Sequence, residues 1–130
     1  MKNNELFQKA QSARYLALEL AHNANESHSG GAMSMADVLI TLYANYLNNT
    51  PQTQNEVNRD RFILSKGHCC SLYYAILAEM GFFTKQELLD NFAKNGTHFF
   101  AHASHTLPGV ELSTGSLGHG LPVSCGLALG

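Results

Sequence analysis

Ser113-Thr114-Gly115-Ser116-Leu117-Gly118-His119-Gly120 decides how this chain is read. Its glycines allow a backbone path that a Cβ would block, and they let a bulky ligand approach main-chain N–H groups. Leu121 to Leu129 follows at once, apolar and largely small, with Pro122 where the first turn of a helix tolerates it. A glycine-rich loop running into a helix N-terminus suits an anion, because unpaired N–H groups and the helix dipole both point at it. The same residues also suit a tight turn that lets a buried helix pack closely, and at this point both readings stand. The wording is neither GxGxxG nor GxxxxGK[ST], so neither a dinucleotide fingerprint nor a P-loop is present.

Around that stretch lie 130 residues, 45% of them apolar, enough for the core of one ordinary domain. A net charge of −2 without any basic run speaks against nucleic acid and anionic membrane surfaces as partners. Met1-Lys2-Asn3-Asn4-Glu5 lacks the apolar region of a signal peptide, and no window is apolar enough to span a bilayer. Cys69-Cys70 and the distant Cys125 form neither a CxxC nor a disulfide framework, so a reduced cytoplasm is the expected location. No Asp, Glu, Lys or Arg follows Glu111. An uncharged end that reads as a buried helix leads to the expectation that residues 1–130 are a module cut through its core.

In chain order, Asn4 to Asn23 reads as a helix with Leu6, Ala10, Ala13, Leu16, Ala17, Leu20 and Ala21 as its apolar stripe. Residues 25–31, Asn-Glu-Ser-His-Ser-Gly-Gly, are expected to break it and to carry His28 on a loop. Ser34 and Asp37 have the spacing of a capping box for a helix with Met35, Leu39, Leu42, Tyr43 and Tyr46 on one face. Arg61-Phe62-Ile63-Leu64-Ser65 reads as a buried parallel strand ending at Lys66-Gly67-His68. Cys69 to Met80 then reads as a helix closed by Gly81. That arrangement puts Lys66 and His68 at the carboxyl end of a strand, where open α/β sheets bind ligands. Thr84 to Glu87 is a second capping box, opening a short helix through Leu88, Leu89 and Phe92. His98, His102 and His105 follow between Gly96 and Pro108, a bracket that argues against a helix aligning them. No local Cys, Asp or Glu completes a zinc set, so no metal site is expected there.

Three blocks together resemble the N-terminal region of transketolase. They are Ser27-His28-Ser29-Gly30-Gly31-Ala32-Met33-Ser34-Met35-Ala36-Asp37, Asp60-Arg61-Phe62-Ile63-Leu64-Ser65-Lys66-Gly67-His68, and Gly109-Val110-Glu111-Leu112 leading into Ser113 to Gly120. They stand in the family's order and close to its spacing. The wording Ser-Leu-Gly-His-Gly is most similar to the split, two-subunit bacterial transketolases. The resemblance implies an α/β fold: the mostly helical N-terminal part of a thiamine diphosphate-binding fold, its diphosphate module, incomplete at its C-terminal end.

It also implies a transferase of carbohydrate metabolism that moves a two-carbon ketol unit from a ketose phosphate to an aldose phosphate. Carried over by motif, His68 is expected on the diphosphate side of thiamine diphosphate, and Gly115, Ser116 and Leu117 along the cofactor. His28 is expected to face the donor sugar, and the family's Gly-His-Pro histidine matches His102, with His105 as the alternative. His119 stands where many single-chain members have glutamine, and a structural role suits it. The family's Gly-Asp-Gly motif, whose Asp and a later Asn hold the bridging Mg2+ or Ca2+, does not occur in residues 1–130. The activating glutamate belongs to a second module or subunit, so a homodimer or heterotetramer is implied for the complete enzyme, and these residues alone are expected to be inactive. A related thiamine diphosphate enzyme such as 1-deoxyxylulose-5-phosphate synthase and a non-catalytic truncated module are the other readings.

Overall fold

The helix Cys70–Glu79 has no side facing water: every residue from Cys70 to Ala78 is buried. A helix that is apolar all round is stable only inside a core, and this one is the axis of the molecule. In the computed structural model, which describes all of residues 1–130, it is the fourth of six α-helices. They are α1 (Asn3–Asn23), α2 (Ser29–Met33), α3 (Ala36–Asn45), α4 (Cys70–Glu79), α5 (Lys85–Asn91) and α6 (Gly120–Leu129). A single 3-10 turn, Gly67–Cys69, leads into α4.

Helix α1 lies across α4 and α3. It buries Ala10, Ala13, Leu16, Ala17, Leu20 and Ala21, six of the seven residues in the stripe read from the sequence, while Leu6 is only half-buried. The alanines let the helix axes come close, and the two leucines each contribute about 1.5–3 kcal/mol by leaving water. From α3, Leu39, Ile40 and Tyr43 enter the same core, whereas Tyr46 faces solvent. Around α4 the aromatic rings of Tyr43, Phe62, Tyr73 and Phe82 pack edge-on or tilted. Glu79, at the end of α4, is held by Lys9 of α1 and Lys85 of α5. Gly81 closes the helix at φ +87°, as expected, a conformation that side chains with a Cβ rarely adopt.

Local expectations fared differently according to what packs on them. Thr84 Oγ1 accepts the N–H of Glu87 at 3.0 Å and caps α5 as its sequence predicts. The Ser34 cap does not form. Ser34 Oγ instead donates to the carbonyl of Gly31 at 2.9 Å, Asp37 pairs with Arg14, and α3 begins after Met35 without a side-chain cap. The 25–31 break is also shorter than expected. Asn25 turns the chain at φ 54°, but Ser29 to Gly31 already belong to α2. Gly31 sits so close to Cys69 that a Cβ would come 2.7 Å from its Sγ. Tertiary packing therefore overrides the poor helix propensity of two glycines.

The strand expected over Arg61–Ser65 is absent, and no residue of the chain is in a strand; the expected fold is present as its mostly helical part. The segment runs without helix, but its neighbours give it isolated hydrogen bonds rather than a ladder. Thr114 Oγ1 donates to the carbonyl of Leu64 at 2.5 Å, Ala103 N–H to Gly67 at 3.1 Å, and Thr114 N–H to Ala103 at 3.1 Å. Helix α6 forms where expected, yet it is not buried: only Gly120 is, while Leu121 and Leu129 are 69% and 91% exposed. It meets the rest of the chain at Gly120, whose N–H donates to Ser65 Oγ at 3.1 Å, and where Ser124, Leu127 and Ala128 line a shallow pocket with Arg61 and Ile63.

Candidate functional site

His28 is the residue preceding the first turn of α2, and the close seat of Gly31 on Cys69 brings that helix end beside the 3-10 turn carrying His68. The two ring centroids are 5.0 Å apart. His102 reaches the same place from the irregular segment after Phe99, its ring 6.5 Å from that of His28 and nearly edge-on. Three imidazoles that are 34 or more positions apart in sequence thus share one surface, formed by a helix end, a turn and an extended segment. His105 is directed elsewhere, its Nδ1 2.7 Å from Ser113 Oγ, and His98 is exposed on the surface. The structure therefore brings His28, His68 and His102 together and leaves His98 and His105 out.

The glycine loop lies against this cluster. A Cβ on Gly115 would come 3.6 Å from His102 Cδ2. A Cβ on Gly67 would meet the Thr114 carbonyl oxygen at 2.1 Å, so the turn bearing His68 and the loop bearing Gly115 are in direct backbone contact. The N–H groups of Gly115, Ser116, Leu117 and Gly118 make no hydrogen bond within the chain, and Leu117 is 72% exposed. Free N–H groups at the entrance to α6 and an exposed leucine beside them can meet an anionic group and a flat apolar ring, respectively. On this geometry the residues fit the diphosphate and ring of a cofactor such as thiamine diphosphate. Their donors are imidazole nitrogens with no carboxylate among them, a set that does not suit a hard cation such as Mg2+ or Ca2+.

Electrostatics favour the neutral form of His68. Its partial burial, reinforced by His28, His102 and the Lys66 ammonium, lowers its pKa below the ordinary histidine value. Lys66 is itself fixed, donating to the carbonyl of Gly31 at 2.5 Å and to Ser34 Oγ at 3.2 Å, which ties the His68 turn to α2. Near neutral pH, neutral imidazoles can both donate and accept protons, as a site handling sugar hydroxyls requires.

The chain matches, over residues 7–130, the family described as the transketolase thiamine diphosphate-binding domain. It belongs to that family. One of the subunits of the apulose-4-phosphate transketolase of Actinobacillus succinogenes is 40% identical over 97% of the chain and 46% of its own length. A protein of Rhodococcoides fascians named ferredoxin fas2 is 48% identical over 82% of the chain and 35% of its own length. The Campylobacter jejuni transketolase structure superposes with a TM-score of 0.89 at 32% identity, covering 98% of the chain and 20% of the enzyme. The chain thus spans less than half the length of these transketolase relatives. No helix in it is long and apolar enough to cross a membrane.

Two side chains of this transketolase domain escaped the reading of its sequence. Thr114, quoted there only as part of the loop, anchors that loop to Leu64. Tyr74, one apolar residue among many in the pattern of α4, carries a buried hydroxyl bonded to the His102 segment. The available signal was the residue type: a buried tyrosine nearly always finds its hydroxyl a partner.

Proposed function

We propose that this chain serves as the cofactor-seating part of a thiamine diphosphate-dependent transketolase that transfers a two-carbon ketol unit between sugar phosphates. The observation that carries the proposal is the meeting of His28, His68 and His102 with the loop of Gly115, Ser116 and Leu117. In this reading His68 and the free N–H groups of the loop hold the diphosphate side of the cofactor. Leu117 lies along its ring. When bound, the cofactor supplies a stabilised carbanion centre for cleaving and forming the ketol carbon–carbon bond. His28 and His102 face the donor sugar, hold its hydroxyls and move protons at them, and the lowered pKa of His68 keeps a cationic charge off that ring beside Lys66.

Several components are assigned outside residues 1–130. The Mg2+ or Ca2+ that bridges the diphosphate is placed on the ligands of a Gly-Asp-Gly region, because the histidine cluster does not suit it. The activating glutamate is assigned to a second module or subunit. The match to one polypeptide of a split transketolase supports a partner subunit. A homodimer or a heterotetramer as the working assembly, and the cytoplasm as its location, complete the proposal. The test is reconstitution. The chain, together with the remaining parts of the enzyme, is titrated with thiamine diphosphate and magnesium and assayed with a ketose phosphate donor. Ketol transfer that is lost on replacing His28 supports the reading, and cofactor binding without any transfer to an aldose phosphate overturns it.

A further inference from the structure

Helix α4 presents two polar groups one turn apart, Cys70 and Tyr74, and both are directed at the segment that carries His102. Cys70 Sγ lies 3.7 Å from the carbonyl oxygen of Phe100. The Tyr74 hydroxyl donates to the carbonyl of His102 at 2.9 Å and accepts the N–H of Ser104 at 3.1 Å. Neither the His102 carbonyl nor the Ser104 N–H has another partner in the chain. On the opposite edge of the segment, Ala103 N–H donates to Gly67 and its carbonyl accepts from Thr114. The backbone around His102 is therefore clamped between α4 and the cofactor-side turns.

From this we infer that Tyr74 is a positioning residue for His102, setting through the main chain where that imidazole stands relative to His28. The inference rests on the functional reading above only for its effect on turnover. The ring of Tyr74 is held independently of its hydroxyl, edge-on to Phe92 and Phe99 with centroids 6.3 Å away in both cases. Burial pushes the phenol far above its ordinary pKa, so the donor to His102 persists at any working pH. Removing the hydroxyl leaves a part-buried carbonyl and a buried N–H unpaired. The segment can satisfy them only by moving off α4 toward water, and it takes His102 with it.

Tyr74→Phe keeps the ring and deletes the clamp, and two measurements read the result. The first is independent of catalysis: histidine-ring NMR of the full chain. His102 is expected to shift or broaden in Tyr74→Phe while His22 and His98 stay put, and to change less in Cys70→Ala, which removes the weaker rung. An unmoved His102 signal in a folded Tyr74→Phe chain overturns the inference. The second is a double-mutant cycle in the assembled enzyme. Tyr74→Phe is expected to lower kcat by about tenfold to a hundredfold, the scale of a 1 Å misplacement, without altering thiamine diphosphate affinity. It is expected to have no further effect in a His102→Ala background. Equal losses in both backgrounds mean that Tyr74 acts only on folding and overturn the positioning role. A His102→Ala enzyme with full activity instead refutes the function given to His102, and the NMR result still decides the clamp.

Discussion

Gly67 and Thr114 touch backbone to backbone, and no side chain fits between them: a Cβ on Gly67 would lie 2.1 Å from the Thr114 carbonyl oxygen. Gly67→Ala is therefore expected to push the glycine loop away from the His68 turn. The cost expected is at least that of an overpacked core, about 1–3 kcal/mol, visible as a lower denaturant midpoint. A variant as stable as the parent, with unchanged cofactor affinity, contradicts the contact.

Glu111 bridges two guanidiniums, with Oε2 2.7 Å from Arg59 and Oε1 2.6 Å from Arg61. Glu111 and Arg59 are each 14% exposed at the side chain, so the group is partly shielded from solvent screening. Glu111→Gln leaves two cations facing each other beside a neutral amide and is expected to cost roughly 2–3 kcal/mol, less than the loss of a fully buried pair. Equilibrium unfolding in urea measures it, and a change within experimental scatter of zero rejects it.

The lowered pKa of His68 gives a pH dependence of definite sign. The folded chain resists protonating this imidazole, whereas the unfolded chain takes the proton near the ordinary value of about 6.5. Its contribution is thus fully present above that value and is lost as pH falls from there toward the folded-state pKa. His68→Gln should show a smaller drop in melting temperature between pH 7.5 and pH 5.5 than the parent, these two being chosen to bracket about 6.5. Parallel pH profiles for the two proteins would falsify the burial effect.

His28 and His68 are neighbours with different duties in the proposed mechanism. In the assembled enzyme His68→Ala is expected mainly to raise the thiamine diphosphate concentration needed for half-saturation. His28→Ala is expected mainly to lower kcat, by about 10²–10⁴-fold if it moves protons in the transition state. Cofactor titration combined with steady-state kinetics separates them. Two variants that behave like the parent, or that exchange these effects, refute the assignment.

Residues 1–130 alone are expected to bind thiamine diphosphate weakly, to lack ketol transfer and to self-associate. The first two follow from the missing cation ligands and glutamate, and the third from Leu121, Leu127 and Leu129, exposed along α6. Replacing Leu127 and Leu129 by Lys should shift sedimentation toward monomer. Tight, saturable cofactor binding by a monomeric parent chain is the contrary outcome.

What the sequence made legible was local. The stripe of α1, the Thr84 cap and the stop at Gly81 are set by neighbours within a few positions, and all three appear in the structure. The approach of His28, His68 and His102 came from the resemblance in wording, since spacing alone cannot bring such distant residues together. Illegible parts depended on remote partners. The segment Arg61–Ser65 has strand-like composition, but a strand also needs a parallel neighbour, which no stretch of this chain provides. Ser34 lost its capping role to the Gly31 carbonyl and Lys66. The duty of Tyr74 is fixed by Ser104, 30 positions away.

An axis without a wet side has a consequence for how the chain assembles. Helix α4 cannot persist in water before α1 covers it, and the residues that meet, such as Lys9 and Glu79, are 70 positions apart. Loop closure over that distance must precede most of the energetic return. Folding is thus concentrated into one late, collective event, and amide protons in α4 should exchange only through global opening. The histidine cluster inherits that cooperativity, since the turn bearing His68 runs directly into the same helix.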